Sequence, residues 1–414
     1  MQATSDLAGS YRQTLKEHPG VLTRLRCWGW AGSWCLACLF AWGCRSTEPP
    51  PPPAPKSVSS LALPSTTAPL GSALPSATLE LQRQIRAQKL RLSPARVTLP
   101  RLAFGRGLFG QLTQSELRVF DTRDYRLLAK IPLQEPRLLV TLASGSLLAV
   151  GRRVSLRFDP GAEKAVSFGR PLLLPGAELL PDSIEAERVW VFDAGSSGNT
   201  GAASQRGPTL ASYRLETTGG GLPLPEKEVA FESPPGGSFG RTREGVWLYF
   251  TAARAERFSP SGHRLSALKL PELPALVRVL PARRLDQCYL LAEPGRVLRV
   301  LVTPTFRQLQ SAELGGVPFS AETADEGRLL AVVSLLPGVG HRFQLELFDA
   351  ELGRRARMAL PEEAPTGGDD WVRVVTENQT VVASASEPRL AVGGPSRALI
   401  LDEQGQQVFS IPSM

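Results

Sequence analysis

The sequence predicts an all-β protein whose folded part is a series of about seven similar units. From about residue 107 to the end, short apolar or alternating runs are separated by Gly, Pro, Asp and Ser. In the run 153–158, Val154, Leu156 and Phe158 alternate with polar residues, which is the period of a strand with one buried face. A phrase of strand, turn and strand also returns throughout this region. No long stripe with a helical period interrupts it, so we expect nearly all of the region to be strand.

The recurring phrase is an apolar strand, then Asp or Ser, usually a Gly shortly afterwards, and a second apolar strand. We expect the Asp or Ser side chain to accept hydrogen bonds from backbone N–H groups of the turn, and Gly to supply a positive φ. Five clear copies begin at Arg118, Leu156, Glu256, Glu346 and Leu399, and two weaker copies lie at 211–216 and 299–303. The turns fall at residues 121, 159, 216, 259, 303, 349 and 402.

The spacing of these turns is typical of a β-propeller. Seven units over residues 107–414 give 44 residues each, and blades of four short strands usually repeat every 40–45 residues or so. Insertions such as the Gly-rich segment 195–201 leave six or eight blades open. A β-sandwich or a pair of smaller β domains is the alternative, but neither predicts one phrase repeated over some 300 residues.

The phrase resembles the repeats of YVTN/PQQ-like and WD40-like propellers of exported bacterial proteins, although the G-H…W-D signature is absent. The resemblance implies a ring closed by pairing strands from the two ends of the domain. We expect the segment Arg96–Leu99 to join the last unit near Gln407–Ile411. Trp190, Trp247 and Trp371 lie in strand-like runs and are expected in the propeller core.

The N-terminal 43 residues have the pattern of an export signal. The uncharged run CWGWAGSWCLACLFAWG, 27–43, follows several basic residues. Its end resembles the lipobox of bacterial lipoproteins, with small Ala41 and Gly43 at the cleavage positions and Cys44 directly after them. Leu usually stands where Ala41 does, and a small residue where Trp42 does. The resemblance implies that Cys44 is lipidated, with palmitate as a constituent acyl chain, and holds the protein on a bacterial membrane, which we take to be the outer one.

Three other interpretations of this segment stay open: simple cleavage with free secretion, an uncleaved signal anchor with interfacial Trp residues, and a buried core segment. In each of the first two the folded part also lies outside the cytoplasm. We expect residues 44–80, rich in Pro and Ser, to be a disordered tether.

Residues 81–106 form a basic collar with seven basic residues and no acidic one. Arg83, Arg86, Lys89 and Arg91 are candidates for contact with anionic lipid head groups or an acidic polymer. The alternative is a solvated linker helix that docks loosely on the adjacent domain. We therefore predict four segments: signal 1–43, tether 44–80, collar 81–106 and propeller 107–414.

The net charge of +8 comes from the N-terminal segments. Residues 107–414 contain 34 basic and 35 acidic residues, so the propeller is close to neutral. A neutral domain lacks the basic surface that nucleic acid requires, which excludes nucleic acid as the partner of the propeller.

The sequence offers little catalytic chemistry. His263 and His341 are the only His residues outside the N-terminal segment, and there is no H-E-x-x-H, G-x-S-x-G or phosphate-loop motif. Cys288 is expected to be a buried thiol. The acidic pairs Glu362–Glu363 and Asp369–Asp370 are more simply a solvated loop than a Ca²⁺ ligand set. We expect no metal site and no cofactor.

These observations favour a monomeric, non-catalytic binding platform for an envelope protein or polysaccharide. The alternative is an exported propeller enzyme, of lactonase or of glycan lyase or hydrolase type, with carboxylates from different blades in its central funnel.

Overall fold

The computed structural model describes Arg83 and most of the chain from residue 100 onward. The described ranges are 100–168, 178–182, 185, 187–193, 207–215, 225–232, 237–251, 253–270, 276–302, 305–337, 342–361 and 379–412. They contain seven separate sheets of four antiparallel strands, each built from four strands in chain order. This is a seven-bladed β-propeller, so the predicted fold class and blade number are confirmed. No helix among these residues is long and apolar enough to cross a membrane.

Each blade runs from an innermost first strand to an outermost fourth strand. Blades 1 to 3 comprise β1 Leu102–Gly105, β2 Leu108–Leu112, β3 Glu116–Asp121, β4 Leu127–Pro132, β5 Leu138–Thr141, β6 Leu147–Val150, β7 Ser155–Phe158, β8 Val166–Phe168, β9 Glu178–Pro181, β10 Arg188–Asp193, β11 Thr209–Arg214 and β12 Lys227–Ala230. Blades 4 and 5 comprise β13 Ser238–Arg241, β14 Trp247–Phe250, β15 Arg254–Phe258, β16 Arg264–Lys269, β17 Leu276–Pro281, β18 Gln287–Ala292, β19 Arg296–Leu301 and β20 Arg307–Glu313. Blades 6 and 7 comprise β21 Val317–Ala324, β22 Leu329–Leu335, β23 Phe343–Asp349, β24 Arg354–Ala359, β25 Thr380–Ala383, β26 Leu390–Gly393, β27 Ala398–Leu401 and β28 Gln407–Ile411.

The recurring phrase is the hairpin formed by the third and fourth strands of each blade. At four of the seven turns the predicted residue does accept a backbone N–H: Asp121, Ser259, Asp349 and Asp402 bind N–H groups two to four residues ahead at 2.8–2.9 Å. The side-chain hydrogen bond from Arg123, together with its backbone N–H, lowers the pKa of Asp121 to about 2.

Glycine supplies the positive φ in three of these turns, with φ of 75° at Gly161, 77° at Gly262 and 79° at Gly405. In the turns of blades 1 and 6, Tyr125 and Leu352 have φ of 55° and 60°. The turn therefore keeps the same backbone conformation in blades that have no glycine at this position.

Seven clusters of buried apolar side chains fill the seven interfaces between neighbouring blades of the described chain. The central strands are buried on both faces because alternate residues point to opposite neighbours. In β14, Trp247 and Tyr249 pack toward blade 3, whereas Leu248 and Phe250 pack toward blade 5. Trp190 of blade 3 meets Trp247 with ring centroids 5.7 Å apart, as expected for core residues.

Cys288 belongs to the interface between blades 4 and 5 and is fully buried. Burial raises the pKa of its thiol far above the ordinary value. The prediction of a buried thiol is confirmed.

The seam between blades 1 and 7 closes the ring. Tyr125 and Phe409 stack with centroids 4.8 Å apart, and Arg389 Nη1 donates to Tyr125 Oη at 2.7 Å. Gln111 Nε2 donates to the carbonyl of Gly394 at 3.1 Å. All four strands of blade 7 come from the C-terminal part of the chain. The proposed closure segment 96–99 lies outside the described residues.

Two buried carboxylates occupy the same place in blades 4 and 6. Glu346 has no exposed surface and accepts hydrogen bonds from Gly315 N–H at 2.9 Å and Arg357 Nη2 at 3.1 Å, and it pairs with Arg354 Nε at 3.0 Å. Glu256 in blade 4 is equally buried and accepts a hydrogen bond from the backbone N–H of Glu232, which follows the last strand of blade 3. Each fixes the chain between two blades to the third strand of the next.

Candidate functional site

A cavity of about 430 Å³ opens where three neighbouring blades meet. In an up-and-down sheet, the turns that join strands one to two and three to four lie at the same end. The cavity lies at that end of blades 4, 5 and 6. Its lining residues are Arg243, Arg283, Arg284, Gln287, Arg299, Glu326, Arg328, Ala350 and Glu351.

Five arginines and two glutamates line this arginine cavity, which gives it a formal charge of +3. Two of the arginines are held by the two glutamates. Arg243 Nη2 lies 2.7 Å from Glu326 Oε2, and Arg299 Nη1 lies 3.0 Å from Glu351 Oε1. Arg299 Nη1 also donates to the carbonyl of Ala350 at 2.9 Å.

The remaining three arginines are available to a ligand. Arg328 makes only a long ion pair, 3.6 Å, to the adjacent Asp325. Arg283 and Arg284 are exposed, and their guanidinium groups have no hydrogen bond or ion pair within the described part of the chain. The positive charge of the cavity therefore exceeds what its own carboxylates neutralise.

Gln287 adds a neutral polar group to the wall. It begins β18 and is only 4% exposed, yet its side-chain amide has no hydrogen-bond partner among the described residues. The amide is thus in place to bind a polar ligand group that enters the cavity.

The cavity wall is fixed by a close contact between blades 5 and 6. The hydroxyl of buried Tyr289 donates toward the carbonyls of Gly327 at 3.3 Å and Ala350 at 3.1 Å. An added Cβ at Gly327 would lie 2.6 Å from the carbonyl carbon of Ala282 and 2.7 Å from the nitrogen of Arg283. The two turns that carry Arg283 and Glu326 are therefore in direct backbone contact.

The turn that carries Glu326 has an unusual backbone. Asp325, Glu326 and Gly327 all have positive φ, at 46°, 55° and 79°. Such conformations at residues other than Gly cost about 1–3 kcal/mol each and persist where neighbouring structure imposes them. Here the N–H groups of Asp325 and Glu326 donate to carbonyls of blade 7, those of Ser384 and Ala385, at 3.1 and 2.9 Å.

A second group of charges lies along the central channel. Glu178, Arg278 and Glu322 are on β9, β17 and β21, the innermost strands of blades 3, 5 and 6. Arg278 Nη2 pairs with Glu322 Oε2 at 3.0 Å. Loss of hydration in the channel raises the pKa of Glu178, the nearby Arg278 opposes that rise and Glu322 adds to it.

Arg241 extends this group on β13 of blade 4. Its guanidinium donates to the carbonyl of Pro181 at 2.8 Å and lies 5.5 Å from the ring centroid of Trp247. Burial lowers its pKa, and the charges of Asp182 and Glu322 oppose that shift. Around the channel, the two basic side chains of blades 4 and 5 thus lie between the acidic side chains of blades 3 and 6.

Of the site residues predicted from the sequence, all except Arg83 lie outside the described residues. The cleavage residues Ala41 and Gly43, the lipidation residue Cys44, and Arg86, Lys89 and Arg91 of the collar lie outside the described residues. Arg83 is described, in helical backbone and exposed. His341, Trp371 and the acidic pairs of 362–370 also lie outside.

His263 is exposed in the turn after β15, and its N–H donates to Ser259 Oγ. Among the described residues, no three His, Cys, Asp or Glu side chains are placed to hold a metal ion.

Sequence reasoning missed the arginine cavity. The available signal was Arg283–Arg284 in the turn PARRLDQ, between two strands that read as central. Arg243 and Arg328 come from blades 4 and 6, and Arg299 comes from another strand of blade 5, so only the fold brings the charges together.

Comparison with known proteins gives structural similarity alone. Searches find no matching protein family and no matching curated protein. Among solved structures, Hsv2 of Kluyveromyces marxianus covers 75% of this chain and 97% of its own length, with 12% identity and a TM-score of 0.48. A functionally unknown protein of Desulfotomaculum acetoxidans covers 72% and 92%, with 8% identity and a TM-score of 0.48. Sqt1 of Saccharomyces cerevisiae covers 76% and 86%, with 8% identity and a TM-score of 0.47.

Proposed function

We propose that this protein is a lipid-anchored, non-catalytic binding platform of the bacterial cell envelope. The observation that carries the binding role is the arginine cavity, a preformed site whose lining residues have a formal charge of +3. The propeller supplies rigid turns from three blades, which hold the charged groups in fixed positions.

The chemistry of the cavity favours binding over catalysis. A guanidinium stays protonated at every physiological pH, so it orients anions but does not exchange protons with a substrate. The lining contains no hydroxyl, thiol or imidazole side chain that could act as a nucleophile. We infer a partner with acidic groups, an envelope protein or polysaccharide, that is bound and released unchanged.

The membrane attachment rests on the sequence of the N-terminal segment. In this proposal the signal is cleaved after Gly43, Cys44 carries the lipid, and residues 44–80 separate the propeller from the membrane. The basic collar, with Arg83, Arg86, Lys89 and Arg91, would contact anionic head groups or polymer near the surface. The protein would act as a monomer.

Metabolic labelling with palmitate tests the anchor. The full chain should incorporate labelled palmitate, and Cys44→Ala should abolish incorporation because the acylated thiol is absent. Cys35→Ala is the matched control, since Cys35 lies in the apolar run that is removed with the signal. Equal labelling of Cys44→Ala and wild type would refute lipidation at this residue.

A second candidate function is supported by the channel. A carboxyl group with a raised pKa beside a second carboxylate is the arrangement that general acid–base catalysis uses. Glu178 and Glu322 could serve an exported enzyme of lactonase or of glycan lyase or hydrolase type. Turnover of lactones or polysaccharides by the full chain, lost in Glu178→Gln and in Glu322→Gln, would establish the enzyme and displace the platform.

A further inference from the structure

We propose that the arginine cavity binds a multiply charged oxyanion, a phosphoryl or polycarboxylate group carried by the partner. This inference names the ligand class of the site on which the proposed function depends. Phosphoryl and carboxylate groups share the feature that matters, several anionic oxygens within reach of planar guanidinium forks.

The charge balance of the cavity is the first observation that favours an anionic ligand. Glu326 and Glu351 pair with Arg243 and Arg299, and Asp325 pairs with Arg328 at the longer distance of 3.6 Å. Arg283 and Arg284 have no carboxylate partner in the described chain and are left for a ligand to neutralise. A ligand with two or three negative charges matches this excess, whereas a neutral or cationic ligand would leave the like charges unrelieved.

The arginines of the cavity also differ in how firmly their side chains are held. Arg243 and Arg299 are anchored, each by a carboxylate and a backbone carbonyl, those of Arg283 and Ala350. They form fixed walls. Arg283 and Arg284 are unpaired on an exposed turn, so they can close on an anion that enters.

Gln287 provides an independent indication of a ligand. The residue is 4% exposed, its side-chain amide has no hydrogen-bond partner in the described chain, and it lines the cavity between the arginine turns. An amide N–H₂ group donates to anionic oxygens without adding charge. A bound oxyanion would satisfy this group together with the unpaired guanidinium groups.

The construction of the site supports a specific function for this charge cluster. The positive φ angles of Asp325 and Glu326 and the close approach of Gly327 to Arg283 are imposed by bonds to blade 7 and by Tyr289. Two consecutive non-glycine residues with positive φ in a turn of the cavity are the kind of backbone strain found at binding sites. The volume, about 430 Å³, accommodates the anionic group and part of its carrier.

Direct titration tests the proposal with defined probes. Full-length protein is titrated calorimetrically with tripolyphosphate, citrate and, as a neutral comparison, glycerol, in about 50 mM salt where charge contacts are weakly screened. We expect tripolyphosphate or citrate to bind with a one-to-one stoichiometry, and glycerol not to bind. Tripolyphosphate binding alone assigns a phosphoryl ligand, and citrate binding alone assigns a polycarboxylate.

Two variants locate the site. The double variant Arg283→Ala/Arg284→Ala should weaken binding at least about tenfold, because it removes two charge-assisted contacts. The matched control, Arg152→Ala/Arg153→Ala, removes an adjacent exposed pair from the turn between β6 and β7, at the opposite end of another blade. It should bind as wild type does. Gln287→Leu, which keeps the volume and the charge, should weaken binding several-fold.

The outcomes either support or overturn the proposal. No binding of either polyanion up to about 10 mM would overturn it, and so would equal losses in the cavity variant and the control variant. If both double variants remain folded by circular dichroism, a loss confined to the cavity variant supports it. Failure of palmitate labelling would refute the anchor and leave this result intact, whereas consumption of a bound phosphoryl ligand would refute only the non-catalytic role.

Discussion

The substitution Gly327→Ala tests whether the backbone contact between blades 5 and 6 shapes the arginine cavity. Gly327 has φ of 79°, and a Cβ there would meet backbone atoms of Ala282 and Arg283 at 2.6–2.9 Å. An L residue in this conformation costs about 1–2 kcal/mol, and overpacking against backbone that cannot rotate away adds about 1–3 kcal/mol. Reduced freedom of the unfolded chain returns about 0.4–1 kcal/mol. We therefore expect Gly327→Ala to lower the free energy of unfolding by about 3 kcal/mol.

Gly107→Ala is the matched control. Gly107 has φ of 69°, and an added Cβ would have no atom within 4 Å. Alanine at this position has the same unfavourable φ but contacts no neighbouring atom, so we expect the free energy of unfolding to fall by only about 1 kcal/mol. Urea unfolding followed by tryptophan fluorescence measures both variants. The difference between them, about 2 kcal/mol, isolates the contact between the turns.

The same variants connect this contact to binding. Because the collision displaces the backbone of Arg283, Gly327→Ala should also weaken tripolyphosphate or citrate binding, whereas Gly107→Ala should leave it unchanged. If Gly327→Ala is no less stable than Gly107→Ala and binds as wild type does, the described packing of the turns is wrong.

Three further predictions concern ionisable groups. Glu346→Ala should lower the free energy of unfolding by about 2 kcal/mol, since it removes three charge-assisted contacts, while exposed Glu403→Ala should change it by less than about 0.5 kcal/mol; equal urea midpoints would contradict this. The raised pKa of Glu178 means that the folded state holds its proton more tightly than the unfolded chain, so wild-type stability falls as the pH rises above about 4.5. Glu178→Gln should therefore raise the melting temperature at neutral pH, with an advantage that shrinks below that pH; a constant difference would refute it. Cys288 should escape iodoacetamide, read by peptide mass spectrometry, until urea unfolds the protein, and rapid native labelling would contradict its burial.

The recurring phrase made the fold predictable because it encodes a local structure. Turn residues such as Asp349 and Asp402 bind nearby backbone, and the same chemistry recurs at four of the seven turns between third and fourth strands. The blade number followed from the count of turns. Strands such as β14 read as continuous apolar runs, because their alternate residues pack against two different neighbouring blades.

The candidate site was beyond the reach of the same reasoning. Arg243, Arg284 and Arg328 are separated by more than 40 residues from each other, and each looks like an ordinary charged turn residue. The near-neutral total of the propeller also concealed a local excess of +3. Assembly by the ring determines which charges meet, and that depends on blade order rather than on local pattern.

The seam between blades 1 and 7 has a mechanical consequence. Within the described chain it is held by side-chain packing and a few polar contacts, such as the stack of Tyr125 on Phe409 and the bond from Arg389, and no described backbone ladder crosses it. A pulling force transmitted along the chain into residue 100 enters blade 1 first. Because side-chain contacts break one at a time, we expect blades 1 and 7 to separate under tension before the strands of any single blade separate. The ring would then open while its blades stay folded.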